Sequence, residues 1–201
     1  MLRIGIFGGT FDPPHLGHLI LAAEARAQLG LERLLWVLTP DPPHKRGQSF
    51  ALPEQRLEMV KLVIAEDPQF EISTVELTRP GPQYALDTVQ ILAGQNPGAD
   101  LVYLMGGDSL RDLPTWHRPA DFVSACDLIG VMHRPGEAIE LVTLEERLPG
   151  LRSKVRFVEA PLIDIAARDI RRRIAEGKPF RYFLPAGVYE YIESHGLYRQ
   201  S

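Results

Sequence analysis

Short apolar runs alternate along this chain with longer stretches whose apolar residues recur every three or four positions. Residues 2–7 form the first apolar run and predict a buried strand. Residues 15–29 read as a helix, with Ile20, Leu21 and Ala23 among its apolar positions and Gly30 as its stop. Residues 34–38 predict a second strand, and residues 40–47 a Pro-rich loop. Helical spacing returns at 53–66 through Leu57, Val60, Leu62, Val63 and Ile64. A strand at 71–77, a helix at 84–93 and a buried strand at 101–105 follow. Strands at 127–132 and 155–158 complete the series, and helices at 168–175 and 185–194 close it. Such alternation with short connections implies an α/β fold, a doubly wound parallel sheet with helices on both faces. No stretch reads as a linker, so residues 1–201 are expected to form one domain, with a small helical part at the C-terminus.

Ligands in such sheets sit at the carboxyl ends of strands, and the unusual polar clusters follow the first, second and fourth predicted strands. The most telling is Gly8-Gly9-Thr10-Phe11-Asp12-Pro13-Pro14-His15-Leu16-Gly17-His18. Taken singly, a Gly pair is a turn and Asp-Pro-Pro a helix entry. Together, directly after a strand, they make a phosphate cradle: exposed backbone N–H groups face anionic oxygens. His15 and His18, three apart, share one helix face. Gly17 leaves room between them. The dinucleotide fingerprint G-x-G-x-x-G is absent, which argues against a dehydrogenase.

Composition narrows the class further. The 201 residues are 45% hydrophobic and 24% charged, ordinary for a globular domain. No apolar run approaches the ~20 residues that span a bilayer, and the start has no signal-peptide pattern. A net charge of −4 gives no general nucleic-acid surface. Cys126 is the single cysteine, read as a core thiol with no disulfide or metal cluster to join. A cytoplasmic protein is the expectation, with no membrane and no nucleic-acid partner. A homo-oligomer is left open.

The segment 8–18 resembles the nucleotidyltransferase superfamily that carries a His-x-Gly-His motif. Its longer form is similar to bacterial nicotinate-nucleotide adenylyltransferases in particular. The resemblance implies a Rossmann-like domain in which His15 and His18 contact ATP phosphates and Gly8, Gly9, Thr10 and Phe11 line the nucleotide turn. Lys45, in Pro43-His44-Lys45, is implied to stabilise phosphate. In Gln83-Tyr84-Ala85-Leu86-Asp87-Thr88, Asp87 and Thr88 match the family's S-Y-T-x-D-T, while Gln83 and Ala85 depart from it. This helix start is implied to face the pyridine mononucleotide through Tyr84, Ala85, Asp87 and Thr88, and its backbone N–H groups suit a carboxylate.

After the fourth strand, Gly106 permits close backbone approach to ATP, and Asp108 is suited to a ribose. The segment Leu113-Pro114-Thr115-Trp116-His117 matches the family's L-P-x-W-H, which phosphopantetheine adenylyltransferases lack. Trp116 is suited to stack on the pyridine ring, with anchorage of its loop on the core as the competing role. Ile165, Ile170, Arg171 and Arg173 match the family's I-S-S-T-x-I-R-x-R, but Ala166, Ala167 and Arg168 replace its three hydroxyls. Ile165, Arg168 and Arg171 are implied to serve ATP, with Arg171 on the terminal phosphates. Arg134 matches an R-P-G and is implied to hold the mononucleotide or the adenosine.

The expected reaction joins ATP and nicotinate mononucleotide into deamido-NAD and pyrophosphate, with Mg²⁺ carried by ATP and no metal site in the protein. His15, His18, Lys45 and Arg171 would carry the chemistry. Two alternatives stand beside it: an enzyme for nicotinamide mononucleotide or for both, and a non-catalytic nucleotide sensor with the same fold.

Overall fold

In the computed structural model, which describes residues 2–40, 51–65, 67–133, 139–161 and 164–199, the apolar runs pair into one sheet. Its strands are β1 (Arg3–Gly9), β2 (Arg33–Leu38), β3 (Phe70–Ser73), β4 (Asp100–Gly106), β5 (Leu128–His133) and β6 (Val155–Glu159). They lie in the order β3-β2-β1-β4-β5-β6, and every pairing is parallel. Phe7 of β1 pairs with Trp36 on one side and Leu104 on the other. The order reverses between β1 and β4, and a reversal opens a crevice at the strands' carboxyl ends.

Both faces of the sheet are covered, which explains the nearly unbroken apolar runs. Successive side chains point to opposite faces, so Phe7, Trp36 and Leu104 join one core while Ile6, Leu35 and Met105 join the other. The first core is closed by α1 (Leu16–Leu29), α2 (Pro53–Ile64), α8 (Ala167–Ala175) and α9 (Ala186–His195), through residues such as Ala22, Met59, Ile170 and Ile192. The C-terminal helices therefore share the sheet's own core. The second core is closed by α3 (Ala85–Gln95), α4 (Gly107–Asp112), α5 (Pro119–Ala125), α6 (Leu141–Arg147) and the short α7 (Leu151–Lys154). Gly30 ends α1 at φ +63°, and its N–H returns to the Arg26 carbonyl.

The structure departs from the sequence reading at two places that shape the site. β3 ends at Ser73, and residues 74–77 turn, with the Leu77 N–H bonded to the Thr74 carbonyl at 2.9 Å. The alternation of Val75 and Leu77 with polar neighbours mimics a strand continuing to 77. Residues 107–112, where the sequence reading places no helix, form one that begins directly on β4.

Candidate active site

The turn after β1 is held from below by a buried arginine. Arg56 on α2 donates to the carbonyls of Thr10, Thr39, Pro40 and Ala51 at 2.7–3.0 Å. One planar guanidinium thus joins the ends of β1 and β2 to α2. Phe11 adopts a left-handed φ of +48°. Its ring packs edge-on against His18, with centroids 5.1 Å apart, and also lies against Phe7 and Trp36. The Phe11 ring is buried and backs His18 from the core. A Cβ on Gly9 would fall 2.8 Å from that ring, so only glycine lets the turn close over Phe11.

Asp12 is the junction of this turn with the end of the chain. Its Oδ1 accepts from the Tyr198 hydroxyl at 2.7 Å and the Ala51 N–H at 3.1 Å. Arg171 Nη1 donates to the Asp12 carbonyl at 2.5 Å and lies 3.5 Å from Oδ2. Burial raises the Asp12 pKa, opposed by Tyr198, Arg171, the Ala51 N–H and Arg56. Read as a helix entry, Asp12 proves to be a long-range hub, and His15 takes the N-cap position of α1.

The two histidines stack, with centroids 3.8 Å apart and planes at 29°. The His15 N–H donates to His18 Nδ1 at 3.2 Å, which leaves the proton of a neutral His18 ring on Nε2. His15 is buried, and desolvation lowers its pKa to about 4. Its Nδ1 has no partner among the described residues. A Cβ on Gly17 would lie 3.0 Å from that atom and 3.7 Å from Ile165 Cβ. The glycine therefore makes room for the His15 ring and brings the starts of α1 and α8 together.

A cavity of about 410 Å³ opens at the ends of β1, β2 and β4. Gly8, Gly9, Thr10, Thr39, Glu76, Tyr84, Ala85, Tyr103, Ser109, Trp116 and His117 are among its walls. Tyr84 stacks on His117 at 4.0 Å, with planes at 16°. Trp116 is half-buried, packing on Phe122 at 5.2 Å and Tyr103 at 6.3 Å, and still borders the cavity. It both anchors its loop and presents an aromatic wall. No side chain caps the start of α3, so first-turn N–H groups are left for a ligand.

Glu76 is the wall residue that sequence reading passed over. It is buried, and its Oε1 accepts from the Thr88 hydroxyl at 2.6 Å. Burial raises its pKa, against the hydroxyls of Thr88 and Thr39 and the charge of Arg79. Arg79 in turn holds Asp87 at 3.0 Å and Thr88 Oγ1 at 3.1 Å. Asp87 and Thr88 thus build the layer behind the cavity wall.

The remaining sequence candidates separate. Gly106 is the N-cap of α4. Asp108 points outward and pairs with Arg111, while Ser109 faces the cavity in its place. Ile165, Ala166, Arg172 and Arg173 border a second hollow of about 220 Å³ at the start of α8, which also has no side-chain cap. Arg168 is 83% exposed and lies 3.8 Å from Asp169. Lys45 and Arg134 lie outside the described residues.

Comparison with known proteins agrees with this architecture. The model of the cytidylyltransferase-like family matches residues 6–173. A probable nicotinate-nucleotide adenylyltransferase of Thermomicrobium roseum is 49% identical over 199 residues, covering 99% of this chain and 92% of the relative. One from Thermus thermophilus is 42% identical over 198 residues, covering 98% and 100%. Among solved structures, Plasmodium falciparum nicotinic acid mononucleotide adenylyltransferase complexed with NaAD aligns with a TM-score of 0.78 at 16% identity, covering 98% of each chain. That last likeness speaks for the fold.

Proposed function

The chain belongs to the cytidylyltransferase-like family and, within it, to the nicotinate-nucleotide adenylyltransferases; from that membership we propose how its cleft works. It joins ATP and nicotinate mononucleotide into deamido-NAD and pyrophosphate. The observation that carries the residue roles is one adjacency. The Gly8-Gly9-Thr10 turn that lines an aromatic-walled cavity at the carboxyl end of β1 runs within five residues into a stacked histidine pair at the start of α1.

A 5′-phosphate oxygen of the mononucleotide attacks the α-phosphorus of ATP. The new P–O bond forms as the bond to the β-phosphate breaks, and pyrophosphate leaves. The chemistry needs no protein nucleophile; the chain contributes positioning and charge. ATP enters as its Mg²⁺ complex, the metal carried by the substrate. His18 offers Nε2–H to a phosphate oxygen, since its Nδ1 is already engaged. His15, kept neutral by burial, gains a proton as anionic oxygens approach and raise its pKa. Arg171 adds fixed charge, and Lys45 is assigned the same task. On the other side, the open start of α3 receives the ring carboxylate and Trp116 stacks on the ring.

A second reading, use of nicotinamide mononucleotide as well, is favoured by the cavity walls. Among the described residues lining the cavity there is no Lys or Arg, and backbone donors also serve an amide oxygen. Pyrophosphate release with each mononucleotide separates the readings. Preference for nicotinate supports the first and equal use the second. ATP binding without release would mean a sensor.

A further inference from the structure

Glu76 lines the cavity together with Tyr84, Ala85 and Leu86 at the start of α3, the element assigned to the ring carboxylate. It is only 5% exposed and bonds through Oε1 to Thr88 in the first turns of α3. Its second oxygen, Oε2, is buried without a hydrogen-bond partner among the described residues. A resident carboxylate and an incoming one would therefore share one helix start in a site of low dielectric.

We propose that Glu76 is a specificity-determining residue: its charge opposes the ring carboxylate at the start of α3 and makes the preference for the anionic ring over its neutral amide counterpart depend on pH. The inference rests on the reading that α3 receives that carboxylate.

The physics follows from like charges. Two carboxylates in one buried site do not both remain ionised without cost, so the second raises the pKa of the first. Glu76 already titrates above an ordinary glutamate because burial disfavours its charge. Nicotinate mononucleotide raises it further and draws a proton onto Oε2. The protonated acid then donates where the carboxylate repelled. Nicotinamide mononucleotide carries no ring charge and draws no such proton. As pH rises through the Glu76 range, nicotinate binding weakens while nicotinamide binding does not follow.

The surrounding charges are few. Arg79 faces Glu76 from the turn after β3 and favours its ionised form. Asp87, on the first turn of α3, is paired to Arg79. Tyr103 approaches from β4 and stays protonated, its pKa raised by burial and by Glu76 itself. His117 closes the cavity from the loop beyond α4. Thr39 and Thr88 contribute hydroxyls only. The 5′-phosphate titrates identically in both mononucleotides and cancels in their ratio.

The test is the ratio of kcat/KM for the two mononucleotides, followed from mildly acidic to mildly alkaline pH in the wild type and in Glu76→Gln. The wild-type nicotinate preference is expected to fall with rising pH. The Gln variant is expected to lose that slope and to favour nicotinate by about tenfold more at alkaline pH, the ratio one pKa unit carries. A variant whose ratio and slope match the wild type overturns the proposal. A measurement on the wild type alone guards against a variant that does not fold. Calorimetry in two buffers of different ionisation enthalpy should show more proton uptake with nicotinate than with nicotinamide mononucleotide, and equal uptake would also overturn it. A wild type that uses neither mononucleotide would instead sink the functional reading on which the inference stands.

Discussion

The two halves of the cleft are each built around a buried carboxylate, and the two differ in what holds them. On the phosphate side, Asp12 is bonded by Tyr198 and Ala51 and paired with Arg171, from segments far apart in sequence. On the ring side, Glu76 has only the hydroxyls of Thr88 and Thr39 and the more distant charge of Arg79, and where Asp12 Oδ2 has Arg171 at 3.5 Å, Glu76 Oε2 is buried without a hydrogen-bond partner among the described residues. A buried charge held by an arginine and two donors fixes geometry, because those partners are held in place. An incompletely satisfied one leaves a demand that a ligand can meet or aggravate. The phosphate half is thus the braced part of the site, and the ring half is where substrates are told apart.

The largest break in this comparison is Asp12→Ala. It removes the carboxylate charge beside Arg171, which keeps its bond to the residue-12 carbonyl, and the acceptor of the Tyr198 hydroxyl and the Ala51 N–H at once. A loss of about 3–5 kcal/mol in urea unfolding is expected, the usual cost of orphaning a buried ion-pair partner. Glu76→Gln, with fewer partners to orphan, should change stability far less in the same assay.

Acid comes next. The folded His15 pKa of about 4 lies below the ordinary 6.5. Between those values the unfolded chain binds more protons than the native one, so stability rises with pH across the window. Falling from neutral pH to about 4 should therefore cost about 3 kcal/mol, from 2.5 units at 1.36 kcal/mol each. Asp12 and Glu76 act with the opposite sign, since their raised values make the native state hold protons longer as pH rises. Unfolding curves of His15→Gln beside the wild type isolate the histidine contribution, which should be absent from the variant.

A smaller effect is expected at Gly17→Ala. The added methyl would sit 3.0 Å from His15 Nδ1, and overpacking of this kind costs about 1–3 kcal/mol. Thermal unfolding should register it. The His15 ring would have to shift, so activity should fall more than stability alone explains.

The sequence carried the sheet well, because strands covered on both faces read as continuous apolar runs. It misplaced the end of β3, where Val75 and Leu77 kept a two-residue alternation through what is a turn. That error hid Glu76, whose side chain enters the cavity only because the chain turns there. Helix α4 was hidden by its opening glycine and by its length of six residues. Arg56, Asp12 and Tyr198 left no local signal at all. The partners that make their burial tolerable lie as far as 186 residues away, and no spacing rule reaches that far. His15, His18 and Trp116 were legible because their motifs are short and contiguous. Phe11 and Asp108 sit inside the same motifs and face elsewhere, one into the core and one to solvent. A motif names the neighbourhood, and backbone geometry decides which of its side chains face the ligand.

The division between a braced phosphate half and a discriminating ring half is tested most directly by steady-state kinetics of His18→Ala and Trp116→Ala side by side. His18→Ala should lower kcat by about 10²–10³, the loss typical of one charge-stabilising donor, with KM for the mononucleotide little changed. Trp116→Ala should raise that KM by about tenfold or more, since stacking on one ring contributes about 1–3 kcal/mol, with kcat largely kept. If both variants moved the same parameter by the same factor, the two halves would not be separate and the account would be contradicted.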